Sequence, residues 1–213
     1  MIAKRLPKDT IDRRRVEALS DGVFAFAITL LVLTIAQPSN YSKLAGQLLH
    51  RWPSFATYVV TFGLIGVMWL NHHTVFSYVE RIDHGFYYRN LLLLMSVVIV
   101  PYPTEVFGEA LQKGAGERAA AIFFGIAVTL NSLAFSWLWF YATKEGRLLN
   151  DRFEKTRESP TFLFVAGTAA CLASIGVAFI SPYASLGIVA AETLYYALDP
   201  IAARLPPNGS EHR

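Results

Sequence analysis

The sequence predicts an all-α membrane protein with six transmembrane helices. Of its 213 residues, 54% are hydrophobic and only 16% are charged, whereas about 25% of the residues in a typical soluble domain are charged. The charged residues are also confined to short segments between long apolar runs. This alternation is typical of a polytopic membrane protein, because charged side chains are excluded from the hydrocarbon core.

Six apolar spans follow one another along the chain, and a transmembrane helix needs about 20 predominantly apolar residues. The predicted ranges are 16–36, 52–79, 88–108, 117–142, 161–181 and 183–199. The first span follows a basic segment and is long enough to stay in the membrane, so no cleavable signal peptide is expected. The second is the longest, and at about 1.5 Å per residue it exceeds the roughly 30 Å hydrocarbon core. We expect it to tilt or to project from the membrane.

Prolines delimit the later spans. Pro101 and Pro103 lack a backbone N–H group and should break the third span near its outer end. Ser181 and Pro182 separate the last two spans, which we expect to form a tight helical hairpin. Residues 1–200 are therefore predicted to be a single six-helix transmembrane domain, and residues 201–213 a short flexible tail.

The basic residues predict the orientation of the chain. If the N-terminus is cytoplasmic, the outer loops hold only four of the 19 Lys and Arg residues, namely Lys43, Arg51, Lys113 and Arg118. The positive-inside rule then places both termini in the cytoplasm. The net charge of +3 therefore reflects membrane topology, and nucleic acid is not expected as a partner because no binding motif is present.

Metals and other cofactors are not predicted. The single cysteine, Cys171, excludes a disulfide within the chain and a cysteine-based metal site. His72 and His73 are adjacent, and adjacent helical side chains point about 100° apart, which disfavours a shared metal.

Asp21 is an ionisable residue inside the first span, next to Ser20. A carboxylate in a membrane helix costs about 2.5–3.5 kcal/mol on insertion scales, so it normally faces protein or water. Arg15 cannot pair with it well, because six helical residues correspond to roughly 240° around the axis. The partner of Asp21 must therefore come from another helix.

The cytoplasmic end of the second span carries a stripe of polar and aromatic side chains at helical spacing: Trp69, His72, His73 and Phe76. In an antiparallel neighbour, this stripe lies at a depth similar to that of Asp21. We predict that Asp21 and Ser20 are hydrogen-bonded to it, with Trp69 and both histidines as donors. The network would either hold helices together near an ion path, or let the histidines contact ions and sense pH.

Three further polar residues lie inside later spans. Asn131 and Ser132 in the fourth span are expected to form interhelical hydrogen bonds. Glu192 in the sixth span could line a subunit contact or a water cavity, or could pair structurally.

The other face of the first span carries an apolar stripe that includes one hydroxyl: Gly22, Phe26, Thr29, Leu30 and Leu33. Taken alone, this spacing fits ordinary helix packing. A ring of such helices would instead form an apolar constriction with a hydroxyl layer, and hydrophobic constrictions gate pores by dewetting. Both interpretations remain open at the level of spacing.

The first span carries a recognisable motif. Arg15-x-x-x-Leu19-Ser20-Asp21 resembles the Arg-x-x-x-Phe-Ser-Asp signature of the transmembrane protein 175 family, the prokaryotic relatives of an endosomal and lysosomal potassium channel. Trp69, followed by the two histidines, and the six-span length are similar to that family too. Two positions depart from its pattern: the motif phenylalanine is Leu19, and the constriction residue, usually isoleucine or leucine, is Phe26.

The resemblance implies a potassium-permeable channel in the plasma membrane of a prokaryote. It implies a homotetramer whose first helix lines a central pore, with the constriction at Phe26, a hydroxyl layer at Thr29 and further apolar layers at Leu30 and Leu33. Arg15, Ser20 and Asp21 would take the structural role of the motif. The implied partners are further copies of the chain, the lipid bilayer, and permeating K⁺ or other monovalent cations.

The polar residues of the first two spans are compatible with a second function class. A proton-coupled secondary transporter could use Asp21 with His72 and His73, but no inverted repeat is evident in the sequence. An enzyme is not expected, because no nucleophile–base pair or metal-ligand spacing is recognisable.

Overall fold

The structure, a computed structural model, describes residues 11–35, 37–38, 41–144, 148–149 and 161–198. The predicted tail, residues 201–213, lies outside this part of the chain. The α-helices are α1 (Arg13–Leu30), α2 (Leu44–His50), α3 (Trp52–Tyr78), α4 (His84–Ile99), α5 (Pro101–Lys113), α6 (Glu117–Thr143), α7 (Thr161–Ala178) and α8 (Pro182–Leu198). A 3₁₀ turn, Leu31–Thr34, continues α1.

Five helical stretches are long and apolar enough to cross a membrane: Arg13–Thr34, Trp52–Tyr78, His84–Lys113, Glu117–Thr143 and Thr161–Ala178. They correspond to the first five predicted spans and confirm the all-α membrane class. The predicted sixth span forms α8, which has 17 residues, whereas the five stretches have 18 to 30. That α8 also crosses the membrane remains a prediction.

Contrary to the prediction, Pro101 and Pro103 do not break the third span near its outer end. α4 ends at Ile99 and Pro101 opens α5, because proline is well tolerated in the first turn of a helix. The backbone N–H of Thr104 still bonds to Val100 O at 3.2 Å, so the chain stays helical across the junction. The stretch then continues to Lys113 and is ended by Gly114, whose φ of 65° is left-handed.

The start of α1 lies at the same end of the bundle as the end of α3 and the end of α8. The backbone N–H of Ile11 bonds to Ile82 O at 3.0 Å, and Tyr196 OH donates to Leu163 O at 2.6 Å. The described basic residues near this end are Arg13, Arg14, Arg15, Arg81, Arg89 and Lys144. Among the described residues, this end therefore holds six Lys and Arg residues and the opposite end holds four, namely Lys43, Arg51, Lys113 and Arg118.

Interhelical hydrogen bonds and close packing hold the helices together, since lipid tails are as apolar as the buried side chains. Asn131 Nδ2 donates to Ser96 Oγ at 3.0 Å between α6 and α4. Gly108 brings α5 against α3, because a Cβ there would lie 2.6 Å from Thr57 Oγ1. The predicted role of Asn131 in interhelical bonding is confirmed.

Candidate functional site

α1 presents one face to the rest of the helical bundle and the opposite face to its exterior. Its buried face packs on α3 and α4 and consists of Val16, Ser20, Phe24 and Ala27. The exposed stripe is formed by Arg15, Leu19, Gly22, Phe26, Thr29 and Leu33. Phe26 is 58% exposed and Leu33 is 70% exposed, while Leu30 is half-buried beside them. The predicted constriction residues, apart from Leu30, therefore point away from the subunit's own core.

Thr29 carries the hydroxyl of the exposed stripe. Its Oγ1 donates to Phe26 O at 2.8 Å, so its hydrogen is used within the helix. The lone pairs of Oγ1 remain available on the exposed side. The side chain can therefore offer an acceptor, rather than a donor, to a cation or a water molecule.

Asp21 is joined to α3. Its Oδ1 accepts a hydrogen bond of 2.9 Å from Trp69 Nε1, as predicted. The start of α1 is set by Asp12, whose carboxylate accepts the N–H of Arg14 at 3.0 Å as an N-cap. The acidic residue of the motif is thus fixed to a neighbouring helix, and its exposed neighbour Gly22 leaves open space where a Cβ would be.

A second contact joins the same two helices one turn away. His73 Nδ1 lies 3.5 Å from Glu17 Oε1, and the His73 ring stacks on Trp69 with centroids 6.0 Å apart. Glu17 Oε2 also lies 3.8 Å from Arg13 Nη2. Residues four apart lie on one face of a helix, so the two pairs Asp21–Trp69 and Glu17–His73 form successive rungs between α1 and α3.

Ser20 and His72 are connected through Asn90 on α4. Asn90 Nδ2 donates to Ser20 Oγ at 3.0 Å, and His72 Nε2 lies 2.9 Å from Asn90 Oδ1. All three residues are fully buried. Ser20 Oγ gives its own hydrogen to Val16 O at 2.9 Å, so it must accept from Asn90, and this fixes the orientation of the amide.

The amide orientation in turn fixes the histidine tautomer. Asn90 Oδ1 can only accept, so His72 Nε2 carries the hydrogen. His72 Nδ1 is buried and has no partner among the described residues, which fits the neutral ring. Phe76 stacks on His72 at 4.3 Å between centroids and Phe24 packs at 5.3 Å. This histidine sits in an aromatic environment that water does not reach.

One detail of the predicted network is wrong. Neither histidine donates to Asp21 or Ser20, because side chains about 100° apart on α3 reach different helices. Arg15 is exposed and bonds to no described residue, since it lies on the stripe opposite the buried face. The structural role that the family motif implies for Arg15 stays a prediction. Asn90 was missed, and its one sequence signal is an amide inside an apolar run.

An open apolar groove of about 530 Å³ runs beside the exposed stripe. Leu19 and Val23 of α1 form one side, and residues of α4 and α5 from Leu91 to Tyr102 form the other. Within the described ranges, no group of three His, Cys, Asp or Glu residues is close enough to hold a metal ion.

Residues 15–101 match the model of the family described as "Endosomal/lysosomal potassium channel TMEM175". A protein of Streptomyces collinus named a potassium channel is 40% identical over 192 residues, which cover 88% of this chain and 92% of that protein. A protein of Chamaesiphon minutus, also named a potassium channel, is 39% identical over 189 residues. The aligned part covers 86% of this chain and 93% of that protein.

The fold is similar to a solved structure as well. The crystal structure of a lysosomal potassium-selective channel TMEM175 homolog from Chamaesiphon minutus superposes with a TM-score of 0.78 at 37% sequence identity. The match covers 88% of this chain and 97% of that one. The likeness therefore extends beyond the motif of α1 to nearly the whole subunit.

Proposed function

Since this chain belongs to the family of the endosomal/lysosomal potassium channel TMEM175, we propose that it is a potassium-permeable cation channel. The two bacterial relatives of nearly equal length both carry the name potassium channel. Membership in a family of channels also confirms that the chain is not an enzyme.

The exposed stripe of α1 carries the proposal for the pore. Phe26, Thr29 and Leu33 are exposed, although they lie on the same helix as a fully buried polar network. Four copies of the chain around an axis would bring their stripes together and form a constriction, with Leu30 at its edge. Water and cations would then meet alternating apolar and hydroxyl layers.

Conduction in this pore is passive. A hydrated cation enters, loses part of its water at the neck, and leaves along its electrochemical gradient. Thr29 Oγ1 offers acceptor lone pairs that replace part of the lost water, while Phe26 sets the narrowest apolar layer. No resident cofactor takes part, and K⁺ or another monovalent cation is the transported species.

The network behind α1 positions the pore helix. Asp21 bonds to Trp69 on α3, and Ser20 bonds to Asn90 on α4. Two successive residues of the motif thereby tie α1 to two different helices. A helix held at two points keeps its opposite face in a fixed direction, which a constriction requires.

The assembly follows from the same surfaces. The apolar groove between α1 and α4 would receive the neighbouring copy in a homotetramer. We place six spans in the plasma membrane of a prokaryote, counting α8 as the sixth. The start of α1 and the end of α8 share the more basic end of the bundle, which supports cytoplasmic termini.

A proton-coupled carrier is not favoured by the relatives. Two residues it would need are also poorly placed, because His72 is buried among phenylalanine rings and Asp21 is hydrogen-bonded to Trp69. In addition, no inverted repeat, which would support a carrier, is evident in the sequence.

Recording from the purified protein in planar bilayers tests the proposal. We expect unitary currents whose reversal potential follows the K⁺ gradient and does not shift when only a proton gradient is imposed. Saturable K⁺ movement that requires a proton gradient, without unitary currents, would instead establish the carrier.

A further inference from the structure

A second polar site lies inside the subunit, away from the exposed stripe of α1. A cavity of about 60 Å³ lies between α3, α6, α7 and α8. A water molecule needs about 10–15 Å³ of such space, so the cavity has room for an ion and some water. Its wall is mostly apolar, but it includes several oxygen-bearing side chains: Asn71, Asn131, Ser132, Glu192 and Thr193.

The carboxylate of Glu192 contacts a thiol in this cavity. Cys171 Sγ lies 3.5 Å from Oε2 and 3.7 Å from Oε1, and a thiol is only a weak donor. Gly167 provides the space, because a Cβ there would lie 3.1 Å from Glu192 Oε1. No Lys, Arg or His in the described ranges forms an ion pair with it. An ionised carboxylate within a membrane helix is costly and normally pairs with another group or faces water.

Two amide oxygens extend this set of acceptors. Asn131 is fully buried, and its Nδ2 donates to Ser96 Oγ at 3.0 Å. Ser96 Oγ gives its own hydrogen to Leu93 O, so it can only accept from Asn131, which fixes the amide. Oδ1 of Asn131 is then a buried acceptor without a partner among the described residues, as is Oδ1 of Asn71. Buried unpaired acceptors are costly.

One carboxylate and two neutral carbonyl oxygens suit a hard cation of single charge. Oxygen ligands of this kind prefer alkali or alkaline-earth ions over softer metals, and calcium sites use six to eight oxygens. A monovalent ion would balance the single charge of Glu192. We propose that each subunit binds one sodium or potassium ion in this cavity, between Glu192, Asn71 and Asn131 and outside the conduction path.

Such an ion would tie three helices together. Asn71 belongs to α3, Asn131 to α6 and Glu192 to α8, so the stability of the subunit would depend on the cation. The cavity also adjoins the buried network, because Phe135 lines it and meets the His72 ring edge-on, with centroids 6.4 Å apart.

Thermal unfolding of the purified full-length protein tests the site. At constant ionic strength, we expect the melting temperature to rise by about 3 °C or more from choline chloride to NaCl or KCl. Separate titrations with Na⁺ and K⁺ identify the preferred ion. Glu192→Gln keeps the shape but removes the charge, so the difference between salts should disappear.

Two control variants separate this site from the pore and from general salt effects. Glu80→Gln removes an exposed carboxylate that lies beyond the end of α3 and does not line the cavity, and it should keep the full rise. Phe26→Ala alters the proposed constriction and should also keep it, so failure of the pore proposal would not be mistaken for failure of this one. Asn131→Leu removes one ligand and should shift the titration to higher cation concentration.

Three results would overturn the proposal. The first is a melting temperature of the native protein that is equal in all three salts. The second is a rise in melting temperature with Na⁺ or K⁺ that persists in Glu192→Gln. If that variant does not fold, the corresponding result is a cation titration whose midpoint is unchanged in Asn131→Leu. The third is an infrared carboxylic-acid band in NaCl and KCl that Glu192→Gln abolishes, because a proton would then occupy the carboxylate.

Discussion

Trp69 Nε1 donates a hydrogen bond of 2.9 Å to Asp21 Oδ1, which joins α3 to the acidic residue of α1. One residue earlier, Ser20 is joined to α4 through Asn90. The motif therefore fixes the inner side of α1 to two neighbouring helices. This arrangement leaves Phe26 and Thr29 on the outer side.

Replacement of Asp21 should distinguish its charge from its hydrogen bond. Asp21→Asn keeps an Oδ1 acceptor for Trp69 and should retain most stability and current. Asp21→Ala leaves the indole N–H unpaired and should cost about 0.5–1.5 kcal/mol, since the site is partly exposed. Melting temperature, tetramer fraction and K⁺ flux measure the effect. Normal behaviour of both variants would show that the network is not needed.

Phe26→Ala should increase K⁺ flux. Loss of the ring widens the proposed apolar layer and lowers the barrier to wetting, so a severalfold increase in liposome flux is expected. Phe179→Ala is the matched control, because Phe179 is 57% exposed but lies at the end of α7. If the two variants conduct alike, Phe26 does not form the constriction.

Thr29→Val should lower conductance severalfold, whereas Thr29→Ser should preserve it. Valine has nearly the shape of threonine but removes the oxygen that would replace water around the ion. Thr34→Val is the control, since Thr34 makes a similar bond to Leu31 O at 2.7 Å away from the stripe. Equal single-channel currents for both valine variants would exclude a role for the Thr29 hydroxyl.

The buried connection between Ser20 and His72 should show strong coupling. Asn90→Leu leaves His72 Nε2–H without its acceptor in a dry environment, and each unpaired buried group costs about 1–3 kcal/mol. Ser20→Ala and the double variant complete a mutant cycle, measured by denaturant or thermal unfolding. We expect a coupling energy between Asn90 and Ser20 of about 0.5 kcal/mol or more; additive effects would mean that the bond between these two residues does not contribute to stability.

Much of the site could be predicted from the local spacing of residues in the sequence. The spacing of Asp21 and Trp69 on two antiparallel spans predicted their contact, because helical geometry sets the depth of each residue. The stripe of Phe26, Thr29 and Leu33 also followed from a periodicity of 3.6. Positions that depend on one helix alone, or on the depth of two neighbours, were thus predictable, whereas the role of the stripe in a pore stays a prediction.

The other contacts of the site depend on where a third helix packs against the first two. Asn90 could not be chosen as the link between Ser20 and His72, because no local pattern relates α4 to the rotation of α1 and α3. That Arg15 shares the exposed face with Phe26 also depends on how α1 is rotated against its neighbours. The unpaired oxygens around Glu192 come from helices far apart in sequence.

The sequence by itself determined that this protein is a helical membrane protein, which end of the bundle is more basic, and which residue types the first helix carries. Apolar length, charge distribution and helical period are local properties, so they can be read without coordinates. Tertiary structure decided which polar groups meet, because hydrogen bonds depend on the rotation of each helix about its axis. A rotation of about 100°, the angle between His72 and His73, is enough to change the partner.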